Sequence, residues 1–250
     1  MSNSSLATVT IYSPNCNKPR NHAIDTITIH HMACIMTVEA CGNGFAKPSR
    51  QASSNYGIGS DGRIGLYVDE ANRSWCSSSA ENDNRAITIE VSNNVEGEEA
   101  IAAGWTVSDK AYNALINLCV DICKRNGKKK LIWCGTLAMT NARTFAADEM
   151  RMTLHKWFAA TGCPGAYLES KMSAIANTVT EKLNTKSNRV EATHSCYTYG
   201  SNSKGLPDVY GAYKAGSQWT IEKTISYAGQ TWGKIKGSNS WVRMSDVKFI

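Results

Sequence analysis

The sequence predicts an α/β domain, a mixed central sheet flanked by helices, followed by a second, small all-β barrel. Three observations carry this expectation. Short β-branched runs alternate with helical periodicity up to about residue 184. One segment repeats apolar residues at helical spacing over several turns. Nine of the 21 aromatic residues crowd into residues 190–250.

Thr26-Ile-Thr-Ile-His-His is a β-branched strand, as are Ile64-Gly-Leu-Tyr-Val and Ala86-Ile-Thr-Ile-Glu-Val. Asp61-Gly62, between Tyr56-Gly-Ile-Gly and Ile64, signals a hairpin whose connection can exceed two residues. Tyr112, Leu115, Ile116, Cys119, Val120 and Cys123 fall on one helical face. Ser108 can cap that helix and Gly127 can end it. A last helix spans about Tyr167 to Leu183. A polar stretch over residues 184–190 then separates a domain of residues 1–184 from one of residues 190–250. In the second, Gly and Ser punctuate short alternating runs such as Trp219-Thr-Ile-Glu-Lys-Thr-Ile and Trp241-Val-Arg-Met, the pattern of a small barrel with short strands.

A hydrophobic content of 42% suits a buried core and excludes wholesale disorder. No run of about 18 apolar residues exists to span a membrane. The net charge of +6 suits an anionic partner, such as nucleic acid, anionic lipid or the bacterial cell wall. Only 19% of residues are charged and the longest basic run is Lys128-Lys129-Lys130, which argues against a dedicated nucleic-acid binder. The nine cysteines are odd in number and irregularly spaced, and the N-terminus lacks the basic and apolar regions of a signal peptide. Both features fit a protein made in the cytoplasm with mostly reduced thiols, although Cys34 and Cys41 are close enough in sequence to pair.

The candidate chemistry rests on few residues. His30 and His31 end a strand, and adjacent strand residues point to opposite faces, so only one of them can serve a given site. His155 and Cys163 lie eight positions apart, and Pro164-Gly165 forces a turn after the thiol. Zinc accepts imidazole nitrogen and thiolate sulfur, and a catalytic zinc keeps three protein ligands with one position open. A His, His, Cys set satisfies that count. The same residues also fit a Cys/His nucleophilic pair, with Cys163 activated by His155 or His30, or an inert buried cysteine.

Four segments occur in one order: Thr28-Ile-His30-His31-Met32-Ala33, Ser54-Asn-Tyr56 through Asp61-Gly62-Arg63-Ile64, Ala86-Ile-Thr-Ile-Glu90-Val91, and His155 to Gly165. Together they resemble the type 2 N-acetylmuramoyl-L-alanine amidases, which include phage endolysins, bacterial autolysins and animal peptidoglycan recognition proteins. The resemblance covers about residues 20–185. It implies zinc held by His30, His155 and Cys163, with Tyr56 and Thr161 beside the metal and Glu90 as general base. It also implies hydrolysis of the amide between N-acetylmuramic acid and L-alanine in peptidoglycan. Met32 departs from the family pattern, which has a hydroxyl residue there. The tail resembles a bacterial SH3-like wall-binding domain, most clearly over Thr231-Trp-Gly-Lys-Ile and Ser240-Trp-Val-Arg-Met. His194 and Cys196 are read as structural.

An amidase joined to a wall-binding module resembles a phage or prophage endolysin. It would be made in the host cytoplasm and reach a Gram-positive wall once a holin opens the membrane. Two competing readings use the same residues. One is a recognition protein of the amidase fold that holds muropeptide without cutting it. The other is a cysteine peptidase using Cys163, disfavoured because a residue followed by Pro-Gly rarely opens a helix.

Overall fold

The structure is a computed structural model that describes residues 2–185, 188–201 and 207–250. The polar stretch expected to separate the domains lies partly outside the described residues, at positions 186 and 187. The chain divides into two compact units, Met1–Asn184 and Thr185–Ile250.

The first unit opens with β1 (Val9–Thr10), β2 (Cys16–Asn17), β3 (Thr26–His31), α1 (Val38–Phe45), β4 (Tyr56–Ile58), β5 (Ile64–Leu66) and β6 (Arg73–Ser74). It continues with α2 (Ala80–Arg85), β7 (Ala86–Val91), α3 (Gly97–Ala102), α4 (Asp109–Arg125), β8 (Lys130–Ile132), α5 (Leu137–Ala142), β9 (Glu149–Leu154) and α6 (Ala166–Asn184). Seven of these strands form one sheet in the order β1-β5-β4-β7-β3-β9-β8. All neighbours are parallel except β4 and β5, which form the hairpin expected at Asp61-Gly62. The sheet is therefore mixed, as the sequence predicts.

The central strands explain the architecture. Residues 26–30 of β3 are all buried, and only Glu90 interrupts the buried run of β7. Strands covered on both faces read as continuous β-branched runs, which is what these segments are. Their two faces nevertheless differ in chemistry. Ile27 and Ile29, Ile87 and Ile89, and Met150 and Met152 join one apolar core with Leu115, Cys119 and Ile122 of α4 and Leu168, Met172 and Ile175 of α6. The alternate positions are polar and bond to one another. The Thr28 and Thr153 hydroxyls are 2.8 Å apart, and the Asn82 amide of α2 donates to Thr28 (3.0 Å) while its carbonyl accepts from Thr153 (2.9 Å). Ser108 caps α4 by accepting from the Ala111 N–H (3.1 Å), and Gly127, at φ +66°, follows its C-cap.

Arg20 clamps the edge of this polar face. Its buried guanidinium donates to the carbonyls of Glu70 (2.7 Å), Asn72 (2.9 Å), Asn84 (2.9 Å) and Ala86 (3.1 Å). It thereby ties the segment before β6 to the junction of α2 and β7.

The second unit contains β10 (Arg189–Ala192), β11 (Cys196–Ser201), β12 (Pro207–Tyr213), β13 (Gln218–Tyr227), β14 (Gln230–Ile235), β15 (Trp241–Arg243) and β16 (Val247–Phe249). All its pairings are antiparallel, in the order β12-β11-β15-β14-β13-β10-β16. The aromatic-rich tail is thus all-β. Tyr199, Trp232 and Trp241 are buried together, whereas Tyr197, Tyr213, Tyr227 and Phe249 are exposed. The side chain of Tyr210 lies outside the described residues. His194 is exposed, its Nδ1 2.9 Å from the Thr193 hydroxyl, and Cys196 is buried in the small core.

Gly57 shows how tightly this half of the sheet is packed. Tyr67 lies across β4 and β5 with its hydroxyl donating to the Val38 carbonyl at 2.7 Å. A Cβ on Gly57 would fall 2.5 Å from that hydroxyl and 2.6 Å from the ring. The ring is wholly buried and cannot swing aside. Gly57→Ala should cost ~1–3 kcal/mol, the usual penalty of overpacking, measured by urea unfolding. An unchanged midpoint would show that the ring has room to move.

Candidate metal centre and active site

The C-terminal ends of β3 and β7 build the site. His30 and Glu90 are register partners on these neighbouring strands, so both side chains emerge on the polar face of the sheet. β9 stops at Leu154, and a single 3-10 turn, His155–Trp157, follows. The loop after it closes on itself, with the Lys156 N–H donating to the Cys163 carbonyl at 3.3 Å. This closure brings His155 and Cys163 together despite their separation in sequence.

The ligand atoms of His30, His155 and Cys163 all lie within 4.8 Å of one another. Cys163 Sγ is 3.4 Å from His30 Nδ1, and the two imidazole rings are 5.0 Å apart between centroids. Tetrahedral zinc with bonds of about 2.0–2.3 Å sets its ligands roughly 3.3–3.8 Å apart, so this trio fits such an ion. The polar accounting agrees. His30 Nε2 is buried without a hydrogen-bond partner. Burial, then His155 and His31, hold the His30 imidazole well below its usual value, and burial also lowers His155. Both shifts favour the neutral ring, the form that can donate a lone pair to a metal. Burial and the nearby Glu90 push the Cys163 thiol well up, so the sulfur would ionise on meeting a cation rather than before it.

Glu90 stands beside this trio. Its Oε2 is buried and unpartnered, and the Cys76 thiol points at Oε1 from 3.9 Å. Burial pushes its carboxyl up to about 8, with the charge of Arg50 and the Cys76 thiol opposing. Thr161 lines the same cavity, and its hydroxyl oxygen accepts from the Cys163 N–H at 3.2 Å, which leaves the hydroxyl proton free. The cavity measures about 740 Å³. Its lining includes His155, Cys163 and Glu90, the apolar Met36, Ala40 and Phe45, and the basic Lys47 and Arg50.

His31 turns to the helical face, as alternation requires, and packs edge-on against Trp105 at 5.2 Å. It borders the cavity but is not in the donor cluster. The structure does not bring Tyr56 to this site. Register pairs Tyr56 with Ile89 and Gly57 with Glu90, so Tyr56 points to the face opposite His30 and Glu90. It is fully buried in the apolar core. Its hydroxyl donates to Glu70 Oε1 (2.6 Å) and accepts from the Ser4 N–H (2.8 Å), and Glu70 in turn takes a two-pronged contact from Arg125 (2.6 and 2.7 Å). Tyr56 is a structural pin, and the expectation that it stands beside the metal is corrected. No bridge joins Cys34 to Cys41, since all nine cysteines are free.

Cys76 escaped sequence reading. It lies beyond β6, outside any spacing pattern, yet with His30 and Glu90 it forms a second overlapping donor group. Nothing in its sequence neighbourhood marks it.

Tyr56→Phe should lower stability by ~1–3 kcal/mol, because Glu70 and the Ser4 N–H lose a buried partner, while metal content stays at the wild-type level. His30→Ala, His155→Ala and Cys163→Ser should each lose metal, and His31→Ala should keep it. Metal content by atomic emission and urea unfolding check both halves. Loss of metal in Tyr56→Phe would return that residue to the site.

A family model for N-acetylmuramoyl-L-alanine amidases matches residues 20–166. Among solved structures, the chain is similar to the endolysin amidase LysCS from Clostridium intestinale, at 16% identity and a TM-score of 0.43, covering 68% of this chain and 98% of that one. It is similar to the catalytic domain of XlyA at 15% identity and a TM-score of 0.43, covering 68% and 97%. It is also similar to a point mutant of Drosophila PGRP-LB in complex with tracheal cytotoxin, at 15% identity and a TM-score of 0.43, covering 66% and 88%. No curated protein sequence matches the chain. The family match takes in the strand ends that carry His30 and Glu90 and the loop that carries His155 and Cys163, and it spans more than half of the sequence. The chain belongs to the N-acetylmuramoyl-L-alanine amidase family.

Proposed function

We propose that this chain is a zinc-dependent peptidoglycan amidase that hydrolyses the bond between N-acetylmuramic acid and L-alanine, and that it serves as a phage or prophage endolysin against a Gram-positive wall. The observation that carries the reading is the convergence of His30, His155 and Cys163 beside the buried carboxyl of Glu90. Tyr56 has no part in the chemistry.

When bound, zinc would lower the pKa of a water towards ~7 and polarise the scissile carbonyl. Glu90 has one oxygen free of any protein partner and a carboxyl poised near neutrality. That suits a group that takes a proton from the attacking water and returns it to the leaving alanine nitrogen. Thr161 keeps a hydroxyl proton to donate to the oxygen that gains charge, where one placed donor is worth ~3 kcal/mol. Met36, Ala40 and Phe45 add apolar surface to the cavity lining. The cysteine-peptidase reading is weaker, because Cys163 stands in the loop ahead of α6, which begins only at Ala166, and not at a helix N-terminus.

The second unit, residues 190–250, is read as an SH3-like wall-binding domain. Its exposed Tyr197, Tyr213 and Tyr227 offer faces for sugar or peptide, and lysines outnumber carboxylates in the tail. No helix among the described residues is long and apolar enough to cross a membrane. Synthesis in the host cytoplasm and release through a holin complete the reading.

Digestion of purified Gram-positive walls should expose new N-terminal alanine and no new reducing sugar ends, and a chelator should abolish it until zinc is restored. Mass spectrometry of the released fragments decides. New reducing ends would mean a glycosidase, and binding of muropeptide without cleavage would mean a recognition protein.

A separate experiment addresses the tail. Residues 190–250 alone should sediment with walls, less so at high salt, because charge attraction is screened and aromatic contact is not. A tail that stays in the supernatant at every salt concentration overturns the wall-binding role.

A further inference from the structure

His30 belongs to two donor groups at once. With His155 and Cys163 it forms the trio described above. With Cys76 and Glu90 it forms another, whose ligand atoms also lie within 4.8 Å of one another. The groups share no other residue. An imidazole has two nitrogens, and in His30 Nδ1 is 3.4 Å from Cys163 Sγ while Nε2 is buried without a partner. The residue is only 1% exposed, so bulk water does not serve that second nitrogen. Glu90 is equally unfinished. Its Oε2 is buried and unpartnered, and its Oε1 meets the Cys76 thiol at 3.9 Å. Tetrahedral zinc sets a sulfur and an oxygen ligand roughly 3.5 Å apart, so a small inward shift would close this pair on an ion. Unpaired polar atoms away from water are costly, and one cation would satisfy a nitrogen, an oxygen and a sulfur together.

Cys76 is firmly placed for such a role. Its N–H donates to Asp83 Oδ2 at 2.9 Å, and the Ser77 N–H and hydroxyl donate to Oδ1 of the same carboxylate at 3.1 and 2.6 Å. The Asn82 amide donates in turn to the Ser77 hydroxyl at 3.0 Å. On the other side, the Trp75 N–H donates to the Ser53 hydroxyl at 3.1 Å, and the Trp75 carbonyl accepts from the Ser53 N–H at 2.9 Å. None of these bonds uses the Cys76 sulfur. Backbone anchored on both sides therefore sets where the sulfur stands, which is the preorganisation a metal ligand needs.

We propose that Cys76, Glu90 and His30 form a second, inhibitory cation site, for zinc or another thiophilic divalent ion, beside the trio of His30, His155 and Cys163. Thiolate, imidazole and carboxylate are all zinc ligands. The second ion displaces the thiol proton of Cys76 and, with a first ion already on Nδ1, the remaining ring proton of His30. Each loss weakens binding, so this ion enters only when metal is in excess. Its effect on the reaction rests on the amidase reading. A carboxylate that ligates an ion cannot take a proton from water, so excess zinc would arrest the enzyme through Glu90. The site itself does not depend on that reading.

The test dialyses the full-length protein against a zinc series and reads bound metal by atomic emission. The wild type should take up about two ions per chain, the second at least about tenfold more weakly than the first. Cys76→Ser and Glu90→Gln should each lose the weaker ion and keep the tighter one, whose retention also shows that they fold. With cadmium in place of zinc, Cys76→Ser should show one step fewer of ultraviolet thiolate-to-metal absorption than the wild type. Excess zinc should slow wall digestion by the wild type and should not slow Cys76→Ser relative to its own rate at one equivalent. A wild type that stops at one ion per chain at every zinc concentration overturns the second site. So does a Cys76→Ser variant that keeps both ions, or loss of both in Cys76→Ser and Glu90→Gln alike. Two bound ions with undiminished digestion at excess zinc overturn the inhibitory role. Two bound ions without wall cleavage at any zinc concentration would instead overturn the hydrolase reading and leave the second site standing.

Discussion

Alternation along two buried strands governs this molecule. In β3 and β7 every second side chain feeds the apolar core under α4 and α6, and the others enter a polar layer on the opposite face. Because the period is two, a slip of one residue would exchange the layers entirely, burying Thr28, His30 and Glu90 under the helices. Register and site are therefore one constraint. The same rule sends His31 to Trp105 and Tyr56 to Glu70.

The polar layer is nearly complete in its own hydrogen bonds, and where it is incomplete is informative. Thr28, Asn82 and Thr153 satisfy one another, and Arg20 spends its guanidinium on carbonyls. In the first unit the buried polar atoms without partners, among the described residues, belong to His30, His31, Glu90 and Asn93. All four are at or just beyond the C-terminal ends of β3 and β7. Buried polar groups are normally satisfied, so a cluster of exceptions marks the place where the fold leaves bonding capacity for something else. In open sheets with parallel strands that is also where ligands usually bind.

Much of this is legible in the sequence. The β-branched runs at residues 26–31 and 86–91 are the two central strands, and Ser108 caps α4. His30, His155 and Cys163, the ligands that the family resemblance implies, do converge, where spacing alone leaves a nucleophilic pair or an inert cysteine open. The failures have equally local reasons. β9 reads Glu-Met-Arg-Met-Thr-Leu, without a β-branched run, and becomes a strand because it packs beside β3. Tyr56 falls in the right motif, but its face depends on register with β7, which no single segment encodes. Cys76 and Arg50 reach the site through loops, where sequence spacing carries no geometry.

Two of the nine free thiols give this fold an internal clock. Cys41 and Cys163 line the cavity, whereas Cys119 and Cys123 are buried in the core, and burial pushes the latter two well above the usual thiol value. Thiol reagents attack the thiolate, so these sulfurs react only when their surroundings open. Both sit on the buried face of α4. Their labelling would thus time the parting of that helix from the core without any engineered probe.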